Sequence, residues 1–238
     1  MGAVPVGIEG STSTPTEYTH PKKNTIKLWD LPGIGTPENH DLETYCNNIG
    51  SLEKYDAFLV FSKSRFTNRE SDLAEKISKI SGKPFVFVCT YVDGDVKNIM
   101  KDEGTDEIAY DEQTNKKRLT EILRKIRNDC KKNLKGLVKN ETDLYLIDTR
   151  FKENYDFSSL HDDVFEKLLQ RRLMLFLRSF NEQFYQNSRL KLDLTQKNYE
   201  PDVIYEVVIE SWQNVQINFA ITGDSGAGKS SFINAVRG

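Results

Sequence analysis

Three cysteines in 238 residues, Cys46, Cys89 and Cys130, show no paired spacing, which excludes a disulfide framework and fits a reducing compartment. No apolar run approaches the ~20 residues of a membrane-spanning helix, and Met1–Gly10 lacks the basic-then-apolar pattern of a secretion signal. Val6 stands where a myristoylation motif wants Ser or Thr, so Gly2 is not read as a lipid anchor. Neither sign of charge is in large excess. A formal net charge of −3 argues against a nucleic-acid partner. Together these absences lead us to expect a cytoplasmic protein. The composition, 37% hydrophobic and 29% charged, suits one domain with a full core.

The stretch around which the chain is organised lies at its far end. Gly223, Asp224, Ser225, Gly226, Ala227, Gly228, Lys229, Ser230 and Ser231 spell G-x4-G-K-[ST] with one further hydroxyl. Such a loop needs glycines so that successive N–H groups can turn inward around a phosphate. Lys229 would reach the β- and γ-phosphates, and the Ser230 hydroxyl would ligate Mg²⁺. VQINFAIT before the loop alternates as a strand does, and SSFINAV after it opens a helix. That order places phosphate at a helix N-terminus.

The other parts of a nucleotide site precede the loop. NTIKLWD (24–30) reads as a strand ending in Asp30-Leu31-Pro32-Gly33. Beside a phosphate loop, a strand-terminal Asp in D-x-x-G is the magnesium-side element, with the Gly33 N–H facing the γ-phosphate. A β-rich run from Pro84 ends in Thr90-Tyr91-Val92-Asp93. Guanine readers carry [NT]-K-x-D here, the Asp accepting from N1–H and the 2-amino group. Thr90 and Asp93 fit, while Tyr91 replaces the lysine and weakens the case for guanine over adenine. DLYLIDT (143–149) is a further strand, and its Asp148 and Thr149 could form the turn that meets the base.

Between these motifs the periodicity predicts helices over 41–49, after Thr67, over 116–137, from 160 to 180 and over 203–212, with a buried strand at 55–62. Thr67 and Glu70 form a capping box, Gly82 ends that helix, and Leu73, Ile77 and Ile80 share its apolar face. Residues 98–115 read as a polar loop and 191–200 as a linker. The helix over 116–137 buries Leu119, Ile122, Leu123 and Ile126. Its other face carries Lys117, Arg118, Arg124, Lys125, Lys131, Lys132 and Lys135, either a solvated face or a peripheral contact with an anionic membrane.

The runs GDSGAGKSSFINAVRG, KLWDLPGIGTP and TYVD resemble the G domain of the immunity-related GTPases over most of the chain. The resemblance implies an α/β, Ras-like P-loop G domain with a mostly parallel six-stranded sheet flanked by helices. The order differs from that family's: switch I (3–21), the D-x-x-G region (24–37), the base motif (84–95), then the P-loop strand and loop (215–231). That is a circular permutation, broken in an exposed loop where such breaks succeed most often. The family's large helical region is mostly absent. By the resemblance the ligands are GTP or GDP with Mg²⁺, and the metal would be held by Ser230, Asp30 and a switch I hydroxyl. Thr12 aligns best, with Ser11, Ser13 and Thr14 as competitors.

Ile34 and Gly35 stand where a water-orienting Gln would sit, so the catalytic group must come from elsewhere. The resembling family self-associates across its nucleotide face through a switch I glutamate. Glu9 is the candidate here, offset by one residue, with Lys229 as the second catalytic group. A homodimeric GTPase, slow as a monomer, is therefore expected. A guanine-nucleotide module without turnover and an adenine-nucleotide enzyme are the alternatives.

Overall fold

In Ile26–Asp30 the odd positions of the run IKLWD are sealed and the even ones half-buried, so one strand face enters the core. The same reading, extended by parallel pairing, builds the sheet. The computed structural model describes residues 12–103, 112–134, 136–138, 143–153, 155–164 and 216–237. Its strands are β1 (Thr16–Thr19), β2 (Ile26–Asp30), β3 (Ala57–Lys63), β4 (Phe85–Thr90), β5 (Leu144–Leu146) and β6 (Ile217–Gly223). The helices are α1 (Leu42–Ile49), α2 (Asn68–Ser81), α3 (Val92–Asp102), α4 (Glu112–Asn133), α5 (157–164) and α6 (Lys229–Arg237).

The six strands run in the order β1-β2-β6-β3-β4-β5. Only β1 is antiparallel, at the edge; every other pairing is parallel. β6, last in the chain, lies between β2 and β3, with Ile221 opposite Asp30 on one side and Leu59 on the other. Its near-continuous burial is what a parallel strand covered on both faces requires. Because β2, β3, β4, β5 and β6 are parallel, their carboxyl ends, where the motif residues stand, share one edge, which is where open α/β sheets bind ligands.

The helices clamp that edge. Phe232 of α6 packs its ring 5.1 Å from Phe61 of β3 and 5.9 Å from Phe157 of α5. α2 carries the expected capping box between Thr67 and Glu70, and Gly82 ends it in the left-handed region. Leu73 and Ile77 are sealed as expected. α4 buries Ile122, Ile126 and Cys130, with Leu119 and Leu123 packed alongside. On its outer face Arg118 and Lys125 both pair with Glu103, and Lys132 pairs with Asp129.

Two expectations need correction. The polar segment 98–115 is not a loop throughout: residues 98–102 belong to α3, and α4 already begins at Glu112. Val92 and Val96, one helical turn apart, are buried under α3 and supply the apolar face that the polar composition obscured. Nor does the β4 run extend to Asp93. The strand stops at Thr90, Tyr91 turns left-handed at φ 61°, and Val92 opens the helix. Glu9, the linker at 191–200, the helix over 203–212 and most of that over 160–180 lie outside the described residues.

Candidate functional site

Gly223 ends β6 at φ 128°, and a Cβ there would lie 1.9 Å from the Phe61 carbonyl oxygen on β3. The loop can leave the sheet this tightly only because position 223 has no side chain. Gly223→Ala is expected to destabilise the protein by at least ~2 kcal/mol through backbone strain and overlap. A thermal melt coincident with the parent's would contradict this.

The loop is fastened from two sides. Leu31 and Ile34 donate backbone N–H bonds to Ile221 and Gly223 at 3.0 and 3.1 Å, drawing the D-L-P-G turn along β6. A Cβ on Gly33 would come within 2.9 Å of the Ser225 backbone, so this glycine allows the two loops to touch. On the other side the buried Thr90 hydroxyl donates to the Ala227 carbonyl at 2.9 Å. Thr90 is therefore a strut under the phosphate loop, a role its place in the base motif did not disclose.

Lys229 is buried, and its Nζ donates to the Gly223 and Asp224 carbonyls at 3.1 and 2.8 Å. Burial pulls its ammonium down to a pKa of about 8, against the charges of Asp30 and Asp224. At the next residue, the Ser230 hydroxyl donates to Asp30 Oδ2 at 2.8 Å, and Thr12 donates to the same oxygen at 2.9 Å. Sequence reasoning chose these three residues as the metal set, and they do come together. Asp30 Oδ1 is buried without a hydrogen-bond partner. One carboxylate and two hydroxyls form an all-oxygen donor set, and an orphaned carboxylate oxygen suits a hard cation such as Mg²⁺.

A cavity opens beside the loop, lined by Thr90, Tyr91, Asp148, Thr149, Arg150, Gly228 and Ser231. The residues expected around a base, Asp93 excepted, are thus gathered in one place. Asp93 sits in the first turn of α3, 7% exposed, and its Oδ1 accepts from Arg150 Nη2 at 2.6 Å. Arg150 also grips Asp148, whose carboxyl it helps hold down at about 2 despite burial. At the lysine position the Tyr91 ring is partly exposed, and Lys63 Nζ stands 4.8 Å from its centroid. A positive charge thus returns to that side of the cavity from β3.

At the opposite end, Asp224 lies beside Glu70 of α2. Burial and then the charge of Glu70 raise its carboxyl to about 6, opposed by Arg69 and Lys229. Arg69 lies against Gly35, where a Cβ would fall 2.3 Å from its Nη1. Sequence reasoning missed Arg150, Lys63, Arg69 and this second role of Glu70. Arg150 adjoins a turn singled out for the base; no local pattern marks the others for this role, Lys63 reaching the site from β3 and Arg69 and Glu70 from α2.

The family model of the interferon-inducible GTPases matches this chain over residues 1–200 and again over 194–238. Interferon-gamma-inducible GTPase 10 of Mus musculus is 34% identical over 171 residues, covering 72% of this chain and 38% of that protein. T-cell-specific guanine nucleotide triphosphate-binding protein 2 of Mus musculus is 30% identical over 175 residues, covering 74% and 39%. Interferon-inducible GTPase 5 of Rattus norvegicus is 30% identical over 161 residues, covering 67% and 32%. The chain therefore spans well under half the length of these relatives.

Proposed function

Since the chain belongs to the interferon-inducible GTPase family, we propose that it binds GTP and GDP with Mg²⁺ and hydrolyses the γ-phosphate, aided by a second copy. The observation that carries this reading is the convergence of the Thr12 and Ser230 hydroxyls on the Asp30 carboxylate beside the buried Lys229. When bound, Mg²⁺ neutralises charge on the β- and γ-phosphates. The loop's N–H groups and Lys229 hold the phosphates, with Lys229 exchanging its two loop carbonyls for phosphate oxygens. Gly33 brings its turn against Ser225, at the γ-phosphate end of the loop. Asp93 accepts from the guanine edge, and Tyr91 and Thr149 flank the base in the cavity.

Ile34 and Gly35 offer no side chain to orient a water, so the remaining group comes from switch I or from a partner across the nucleotide. Glu9 is the proposed contributor. The position of β6, last in sequence yet central in the sheet, supports reading the chain as circularly permuted relative to the order expected of this family.

One experiment separates these claims. Nucleotide released from the purified, denatured protein is expected to be GDP or GTP, and adenine nucleotide would overturn the guanine reading. Specific GTPase activity is then expected to climb with protein concentration. An activity independent of concentration and well above background would place the catalytic group within one chain and end the partner model.

A further inference from the structure

Arginine presents a planar fork of N–H donors on an N–C–N core, and the Watson–Crick edge of guanine presents a similar pair from N1 and the 2-amino group. Both suit one carboxylate. Here Arg150 Nη2 lies 2.6 Å from Asp93 Oδ1, and Arg150 itself lines the cavity assigned to the base while Asp93 does not. We propose that Arg150 is a built-in competitor for guanine, holding the Asp93 carboxylate until it swings aside to admit the base. The inference rests on the reading that Asp93 recognises guanine.

The geometry supplies a pivot. Arg150 keeps three contacts to Asp148: its backbone N–H at 2.8 Å, Nε at 3.2 Å and Nη2 at 3.0 Å. Leaving Asp93 therefore does not strand the guanidinium away from negative charge. The Arg150 side chain is 59% exposed and the Asp93 side chain 10%. The arginine is thus the partner with room to move, and α3 keeps the carboxylate still. Lys97 also approaches Asp93, at 3.6 Å from Oδ2, but it lies out in solvent and lacks the fork. Because the arginine is largely exposed, water screens its hold on Asp93, so displacement by a base is inexpensive.

Competition of this kind acts on guanine and spares adenine, which has no donor pair for Asp93. The ratio of GDP to ADP affinity isolates it, since phosphate and metal contributions cancel. Calorimetric titration of both nucleotides into the full chain is expected to show this ratio rising about fivefold in Arg150→Ala, the worth of one screened pair. Removing Arg150 also takes away the guanidinium that joins the Asp148 and Asp93 carboxylates, and their repulsion would mask the gain. Arg150→Ala/Asp148→Asn removes that repulsion, and a rise in either variant supports the proposal. Arg150→Lys, which keeps the charge without the fork, is expected to lie between parent and Arg150→Ala. A guanine-selective parent whose ratio stays level or falls in both the single and the double variant would overturn the competitor while leaving Asp93 as the guanine reader. A parent ratio near one would overturn that reading, and the competitor with it.

Discussion

Lys229→Ala loses nucleotide binding, with GDP affinity expected to fall by roughly 10²–10³-fold as charge-assisted hydrogen bonds to the phosphates are removed. The ammonium lies in the interior, bound to two loop carbonyls. Those are weak substitutes for phosphate oxygens, and this is the cost that ligand binding relieves. A pH signature separates this from misfolding. The folded pKa, about 8, lies below the ordinary 10.5, so the native state holds fewer protons than the unfolded state between those values. Stability from this group is present above about 10.5 and is lost as pH falls through about 8. The Tm of the nucleotide-free parent minus that of Lys229→Ala should therefore grow as pH is raised from 8 to 10. Near-parental GDP affinity in a folded Lys229→Ala protein would remove the phosphate-loop assignment.

Asp93→Asn should exchange guanine for xanthine. On the proposed reading the carboxylate accepts from two donors on guanine, and a buried polar group left unmatched is expensive. An amide in its place turns one acceptor into a donor that meets the extra carbonyl of xanthine. GDP affinity is expected to drop by at least about 10²-fold while xanthosine diphosphate gains over the parent. The position favours a clean result: Asp93 is buried in the first turn of α3, and an Asn oxygen can still accept from Arg150. Competition titrations with GDP, ADP and xanthosine diphosphate check this. Unchanged nucleotide preference in Asp93→Asn would show that the base is read elsewhere.

The parts of the site legible in the sequence are those whose chemistry is local. Gly223 to Ser231 could be read because backbone conformation and hydroxyl placement are set within a few residues, and Asp30 because it ends an alternating strand. The capping box of Thr67 and Glu70 was legible for the same reason. α3 was not. Val92 and Val96 start its apolar face directly after a strand, and the left-handed Tyr91 between them and β4 leaves no mark in periodicity.

What the amino-acid order determined by itself, then, was the set of short devices: a G-x4-G-K-[ST] loop, a carboxylate at a strand end, a T-x-x-D run at the end of β4, and the strands that carry them. Only the tertiary structure decided how they meet. With the last strand paired between β2 and β3, Thr90 of β4 comes to lie under Ala227, a support that no motif announced. The same packing turns Glu70 toward Asp224 and lays Arg69 on Gly35. The grip of Arg150 on Asp93 likewise depends on β4 and β5 lying side by side. The physical reason is range. Dihedral preference, capping and alternation act over a few residues, whereas a contact between two strand ends exists only once the sheet has chosen its neighbours.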